Sequence, residues 1–532
     1  MTSWSIILTL LPIVIILVML IVFKKAADIS GIVGWAAISI VAYFFFNTSV
    51  EVILRSTGAG LIRSMSVSMI VATSLLQMAF MEKTGALKRI IIFVKTIASE
   101  NKAVQIMLIN IGFGTLMVSV GATPVSLLPP ILIAMGYSTY VAIALPAVGY
   151  DSLCTYALLG APIVVFVDLA NNFLGAGNEI SLHEAGMVFF MFLPLVSTLI
   201  GFCMLWIVGK WEAIKQGWLP CLLTGATIGV VSYFTNRYDN LVVLTGVACG
   251  IAVIMVMAGF LKITGKPVID RSKLTPEELE YEKTYPLWKA LMPWILLILM
   301  ILVLNLPKDV FNFLYRTMKM PINGLTANGS PLDTRALWQA YTWIFVSVIV
   351  AIPFMKPTKQ QLKDTVKVWL KRAPRPVFAA AIFFAVGEIM NMTGYSMETG
   401  KFETASMVKV LADGSAQLFQ SAYGGIVSFI GLFGGFITGS EASAIAMFSK
   451  YALTTAKNIG LSTEGMLIIA AGLAFGGGLA SVISPAKLQN AAAAIDKIGE
   501  ENKVIRIAFV FSLILTTVTS IFVFILLAMN GM

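Results

Sequence analysis

The chain has 532 residues, of which 58% are hydrophobic and only 12% charged, with a mean hydropathy of +0.89. Soluble proteins carry about 25% charged residues, so an ordinary soluble protein or a large soluble domain is excluded, and the net charge of +10 reads as loop asymmetry that orients a membrane protein rather than as a nucleic-acid surface. Cys154, Cys203, Cys221 and Cys249 lie in or beside apolar runs without CxxC spacing, and the single histidine, His183, falls in a short polar loop and reads as solvated; no disulfide framework, zinc site or histidine-based catalytic set is indicated.

The length accommodates roughly a dozen spans of about 20 residues. The first are expected at 5–23, ending at Lys24-Lys25, then at 29–47 and 64–81. The N-terminus has neither a basic leader nor a small-residue cleavage site, so the first span is read as retained. From Lys83 to Lys102, the placing of Lys88, Arg89 and Lys95 between apolar residues is the pattern of an interfacial amphipathic helix.

Between Gly112 and Pro162 the apolar pattern is interrupted at Gly121-Ala122-Thr123-Pro124, at Pro129-Pro130 and at Gly149-Tyr150-Asp151-Ser152. Backbone that leaves the helix at bilayer depth must be satisfied by protein or water, so such breaks mark cavities. We expect a re-entrant hairpin over about 103–136, turning near Gly121, and a broken helix over about 138–168, interrupted at Asp151. Spans at about 186–208, 219–235 and 241–260 complete an N-terminal half, 1–260. The polar segment 261–289 then reads as a linker containing a helix capped by Thr275, with Glu278 three residues on.

The C-terminal half, 290–532, has spans near 290–306, 340–355 and 376–391, with Glu388 at the interface, and a mixed loop to about 423. A second hairpin over about 424–460 follows, with its tip at Gly439-Ser440-Glu441, then a second broken helix over about 464–485, interrupted at Gly476-Gly477-Gly478, and a last span at 507–528. Gly136-Tyr137-Ser138-Thr139 and Gly460-Leu461-Ser462-Thr463 sit at matching places, with Pro162 and Pro485 following at nearly equal intervals. Paired Gly/Pro-interrupted segments in corresponding positions point to a secondary transporter's binding site.

Alternation from Lys24 places 83–102, 209–218, 261–289, 356–375 and 486–506 on the inside, and with Lys24 and Lys25 these hold 26 of the 37 Lys and Arg. The positive-inside rule is met, with both termini outside, only if the two tip segments are re-entrant, the first from inside and the second from outside. The expected fold is therefore an all-α polytopic membrane protein of about 12 spans plus 2 hairpins, built as inverted repeats.

Helix N-termini at such tips attract anions. The candidate substrate-binding residues are Gly121, Ala122, Thr123, Ser126, Ser152, Gly439, Ser440, Ser443, Ser481 and Ser484, which supply backbone approach and hydroxyls; the same hydroxyls would equally bond neighbouring helix carbonyls or pack small against another helix. No arginine lies in either tip, which points to a small organic anion rather than a large multivalent one. Asp151 and Glu441 are ionisable groups inside membrane segments and so carry a functional hypothesis. Either they load and unload a proton, or they cap half-helix N-termini as fixed carboxylates. Sodium near Asp151 and Gly477 is the alternative coupling ion, since hydroxyls and free carbonyls at a broken helix ligate it. No cofactor motif or nucleophile-base set appears, so an enzyme is not expected. An anion channel is the rival class, although two unequal tips lack the ring symmetry of a filter.

The residues also carry a resemblance. FITGSEASAIAMF, at 436–448, resembles the hairpin segment TGSDTSSNALF of the bacterial L-lactate permease family, with Glu441 standing for its Asp, and ASVISP at 480–485 resembles its KMISP. Gly121-Ala122-Thr123-Pro124 lies where that family has GFGAP, and GAPIVV at 160–165 resembles its G-I-P-I segment. The family's glutamate ahead of the first tip is absent here, where Leu116-Met117-Val118-Ser119-Val120 stands, and Asp151 lies near a family Asn. The resemblance implies a proton-linked carrier of lactate-like 2-hydroxymonocarboxylates, or a sodium-coupled carrier of another small organic anion such as a dicarboxylate or sulfonate. It also implies an elevator-type homodimer of the ion-transporter superfamily kind in a bacterial inner membrane, with the lipid bilayer as its surroundings and no nucleic-acid partner.

Overall fold

The computed structural model describes residues 3–531 apart from Lys24, 98–100, Thr123, Ala176, Lys273, 485–486, 489–490, Ala493 and 498–499, and only the backbone of Ser3, Ser126, Tyr150, Asp151, Ser481, Glu501 and Asn502. Eleven helical stretches are long and apolar enough to cross a membrane, or twelve if Met292–Asn305 and Lys308–Thr317, bent by 85°, form one span. The chain is a polytopic all-α membrane protein. Among the described residues its β structure is two short pairings, Pro321–Ile322 with Leu332–Asp333 and Tyr395–Ser396 with Lys401–Phe402.

The first half opens with α1 (Ser3–Ile21), α2 (Ala27–Phe45), α3 (Val50–Arg63), α4 (Met65–Lys83) and α5 (Ala86–Lys95). It continues with α6 (Lys102–Ile106), a π-helical turn over Met107–Phe113, α7 (Gly114–Ser119) and α8 (Pro124–Ala134). Next come α9 (Thr139–Gly149), a 3-10 segment over Tyr150–Tyr156, α10 (Ala157–Leu174), α11 (Leu182–Phe189), α12 (Leu193–Asn236), α13 (Asp239–Val242) and α14 (Thr245–Ile263). α12 holds two expected spans, joined where Gly209 and Lys210 leave helical geometry. The remaining helices are α15 (Pro276–Thr284), α16 (Leu287–Ala290), α17 (Met292–Asn305), α18 (Lys308–Asn312), α19 (Ala340–Met355), α20 (Lys359–Arg372), α21 (Pro374–Met392) and α22 (Met407–Phe419), followed by α23 (Tyr423–Thr438), α24 (Glu441–Asn458), α25 (Thr463–Ala480) and α26 (Glu501–Met529).

Several expectations are corrected. α3 and α22 occupy stretches read as loop. Each starts at a serine whose hydroxyl accepts an amide three residues on, Val52 for Ser49 and Lys409 for Ser406, a cap that helps a moderately polar stretch become helical. Among the described residues, the amphipathic segment 83–102 forms the helix Ala86–Lys95 between the end of α4 at Lys83 and the start of α6 at Lys102, and it is covered: the helix α15, whose Thr275–Glu278 capping box forms as expected, docks on it. Lys88 pairs with Glu277 at 3.3 Å, Arg89 with Glu282 at 3.0 Å and Lys95 with Glu278, while the Tyr281 hydroxyl donates to the Gly85 carbonyl at 3.0 Å. His183 is half-buried rather than solvated, with Nδ1 2.8 Å from the Asn236 carbonyl oxygen. Glu388 lies 3.6 Å from Arg63, with 12% of its side chain exposed.

The largest correction concerns Gly476-Gly477-Gly478. α25 is continuous through them to Ala480, and the chain leaves the α-helix only afterwards, over Ser481–Ile483. The glycines serve close packing. A Cβ on Gly476 would stand 1.9 Å from the Ser428 carbonyl oxygen, one on Gly431 1.9 Å from the Leu473 carbonyl oxygen and one on Gly435 2.1 Å from that of Gly477. Each figure is far inside van der Waals contact, so α23 and α25 touch backbone to backbone, the small-residue packing typical of membrane helices.

Contacts between loops sort them into two ends of the bundle. One gathers Asp28 with Arg375, Glu82 with Arg372, and α5 with α15. The other gathers Asn47 with Glu403, Asp168 with Arg335, and Asp239 with Arg316. The chain that leaves at Lys102 returns to the same place, because the Tyr137 hydroxyl donates to Gln105 Oε1 at 2.9 Å and Lys102 Nζ stands 6.0 Å from the centre of the Tyr137 ring.

Candidate functional site

The site is built where the break of the first half meets the tip of the second. After α9 the backbone tightens into the 3-10 segment Tyr150–Tyr156, and Leu158, Leu159 and Gly160 then take left-handed φ values of 53°, 55° and 74° before α10 becomes regular. The interruption expected at Asp151 therefore extends from Tyr150 to Gly160. In the second half, Gly439, at φ 69°, ends α23 in the left-handed conformation that glycine adopts without strain. Thr438 closes the turn: its hydroxyl donates to the Ser440 carbonyl at 2.9 Å and accepts the Ser440 amide at 3.2 Å. α24 then begins at Glu441, and Ser440 makes no side-chain cap.

Glu441 is only 2% exposed, and its Oε1 accepts the hydroxyl of Thr155, itself fully buried, at 2.6 Å. Its other oxygen lies over Gly478, where a Cβ would come within 2.7 Å of Oε2 and 3.2 Å of the Cys154 Cβ. A side chain at 478 would occupy the carboxyl's place. Gly439 faces Ser484, whose Oγ would be 3.2 Å from a Cβ there. Three elements far apart in sequence thus converge: the segment Cys154–Thr155, the start of α24, and the end of α25 with Ser484.

Two kinds of polar capacity surround this point. The N-terminus of α24 presents a partial positive charge, and Ser443, 1% exposed on its first turn, has an Oγ with no hydrogen-bond partner among the described residues. Opposite it, α25 ends at Ala480 beside Glu441, so its last carbonyls lie outside the helical ladder; that of Leu479 accepts Ser512 Oγ at 2.9 Å. An anion-favouring helix end and a cation-favouring one therefore flank one carboxyl group. Among the described residues no group of three or more His, Cys, Asp or Glu could hold a metal ion.

The other expected residues divide. Ser152 is fully buried close by in the 3-10 segment, its Oγ without a partner among the described residues, and its carbonyl accepts Ser197 Oγ at 3.4 Å. At the first tip the Gly121 amide donates to the Val118 carbonyl at 3.2 Å and the Ala122 amide to that of Met117 at 2.8 Å, so both are spent on the turn itself. Gly121 packs on Ser74, whose Cβ a Cβ at 121 would approach to 2.9 Å, and so faces α4. Thr123 lies outside the described residues, as do the side chains of Ser126, Asp151 and Ser481. Sequence reading passed over the site roles of Cys154 and Thr155, three and four residues beyond Asp151, and of Asn110. Asn110 sits fully buried in the π-helical turn, with Oδ1 unpartnered among the described residues, its Cβ 2.8 Å from where a Gly149 Cβ would be. π-turns inside α-helices cluster at functional sites; the sequence signal was a lone amide in the apolar run MLINIGF.

Compared with known proteins, residues 5–530 match the L-lactate permease family. The glycolate permease GlcA of Escherichia coli is 23% identical over 97% of this chain and 94% of its own length. The L-lactate permease of Salmonella typhi is 22% identical over 90% of this chain and 88% of its own length. Among solved structures, that of Neisseria gonorrhoeae MtrF, described as one of a class of antimetabolite efflux pumps, covers 86% of this chain and 80% of its own at 12% identity and a TM-score of 0.41. The match over almost the whole length shows that this chain belongs to the L-lactate permease family, as a divergent member.

Proposed function

We propose that the protein is a secondary active carrier that moves a small 2-hydroxymonocarboxylate, such as lactate or glycolate, together with a proton across a bacterial inner membrane. The observation that carries this reading is the Glu441–Thr155 contact: a buried carboxyl at the tip of one half is held by the break of the other, beside a helix N-terminus suited to a carboxylate. The permease relatives support the substrate class, lactate and glycolate being named for them. The return of the chain from Lys102 to Tyr137 supports a re-entrant first hairpin, and the lysine- and arginine-rich loops at the α5–α15 end support placing that end in the cytoplasm. Elevator motion and a homodimeric scaffold belong to the same reading.

Sodium coupling is the second reading, favoured by the end of α25, whose carbonyls close to Glu441 form a cation-attracting terminus. Proteoliposomes decide between the two. An imposed pH gradient is expected to drive accumulation of labelled lactate or glycolate in wild type, and Glu441→Gln to abolish accumulation while sparing exchange. A wild type that responds to a sodium gradient and not to pH overturns proton coupling, and one that carries neither acid overturns the substrate class.

A further inference from the structure

A second charged constellation lies away from the site, where α3, α21 and α24 meet. Arg63 ends α3 at the bend into α4, with 17% of its side chain exposed, and its Nε stands 3.6 Å from Glu388 of α21. That is an ion pair but not a hydrogen bond, and the Nε–H is buried without an acceptor among the described residues. Lys450, half-buried in the middle of α24, is the third charged residue of the constellation. Its position follows from packing: a Cβ on Gly387 would lie 3.0 Å from the Ala446 carbonyl oxygen, so Glu388 sits beside the helical turn that leads from Ala446 to Lys450. Arg63 and Lys450 thus stand on two helices on either side of the one that carries Glu388. A charge buried without a counter-charge costs several kcal/mol, and among the described residues Lys450 has no ion pair and the Arg63 Nε–H no acceptor.

We propose that Arg63, Lys450 and Glu388 form a second anion site that takes one singly charged anion, either inorganic chloride or a small monocarboxylate. Lys450 is nine residues beyond Glu441 on the same helix, about 14 Å along its axis, so this site is distinct from the one at the tip. The anion accepts the free Nε–H of Arg63 and neutralises Lys450, while Glu388 keeps the pair of cations from attracting a second anion. Because α24 begins at the tip, an anion here stiffens the helix that presents Glu441.

The test is the thermal midpoint of the full-length protein in detergent, titrated at constant ionic strength by exchanging a bulky sulfonate buffer anion for chloride, and separately for lactate. We expect saturable stabilisation of wild type, lost in Lys450→Met and in Arg63→Gln. In Glu388→Gln, which removes the competing carboxylate, the half-saturating concentration should fall at least about tenfold. Stabilisation by chloride assigns the site to an inorganic anion. Stabilisation by lactate alone, abolished by Lys450→Met, assigns it to the carboxylate class. No anion-specific stabilisation of wild type, or one unchanged in both cation variants, overturns the proposal. If a cation variant fails to fold, an unchanged or weakened affinity in Glu388→Gln overturns it just as surely. The chloride arm does not depend on what the carrier transports, and in the lactate arm only the part lost in Lys450→Met counts towards this site.

Discussion

Thr155→Val keeps the shape of a fully buried residue and deletes only the hydroxyl that reaches Glu441 at 2.6 Å. A hydrogen bond to a charged group contributes about 1.5–3 kcal/mol and one between neutral groups about 0.5–1.5 kcal/mol. The loss should therefore shift the unfolding equilibrium by about 10- to 150-fold if Glu441 is ionised, and by about 2- to 13-fold if it is protonated. The assay is a double-mutant cycle with Glu441→Leu, which has no acceptor for that hydroxyl, followed by denaturant unfolding in mixed micelles at pH 6 and pH 8. Because either substitution removes the same bond, the double variant should cost little more than the costlier single one, with a coupling energy in those ranges. A coupling that grows with pH identifies an acid that changes protonation in the working range. Strictly additive costs at both pH values would mean that the two residues do not interact, and the account of how the halves meet would fall with them.

Gly476→Ala should cost more than about 3 kcal/mol, since its Cβ would stand 1.9 Å from a backbone oxygen that cannot yield; Gly259→Ala, in α14 with nothing within 4 Å, should instead stabilise by up to about 1 kcal/mol. Both are read as the yield of monodisperse protein after a heat step. Asn110→Leu removes a buried amide whose Oδ1 is unpartnered among the described residues, so a purely structural role predicts unchanged or higher stability with normal uptake, whereas a role at the break predicts intact folding with uptake reduced tenfold or more. The Arg271 guanidinium, outweighing the cost of burial and helped by Arg89, holds the Glu282 carboxyl below its ordinary 4.5. A depressed carboxylate stabilises above its unfolded value and loses that contribution as pH falls through the folded one, so α15 should release from α5 below about pH 4.5, seen as faster proteolysis of the linker, and Glu282→Gln should be released at all pH values.

How much of this was legible in sequence depends on the distance over which each feature is decided. Apolar runs place the helices to within a few residues, the expected 340–355 falling on Ala340–Met355 and the expected 241–260 on Thr245–Ile263, because hydropathy is local. The Thr275–Glu278 box was legible for the same reason. The glycine triplet of α25 was misread because glycine answers two needs, a bend and a close approach, and only the neighbouring helix decides which; here Ser428 and Gly431 of α23 do. The tip at Gly439 was visible as a breaker beside an acid. Thr155 was not, since its role exists only through a contact across 286 residues. The Arg63–Glu388 pair was hidden likewise, Glu388 having been read from its place near the end of a span.

The two leucines that turn left-handed in the first turn of α10 store energy at the break. A left-handed L-residue costs roughly 1–2 kcal/mol, so Leu158 and Leu159 together hold about 2–4 kcal/mol of conformational energy. That tension is borne by the packing around Leu159, which is 5% exposed, and it would be released if the segment relaxed. Any rearrangement of the Tyr150–Gly160 break that returns the two leucines to ordinary helical φ recovers that energy, and one that leaves them left-handed does not.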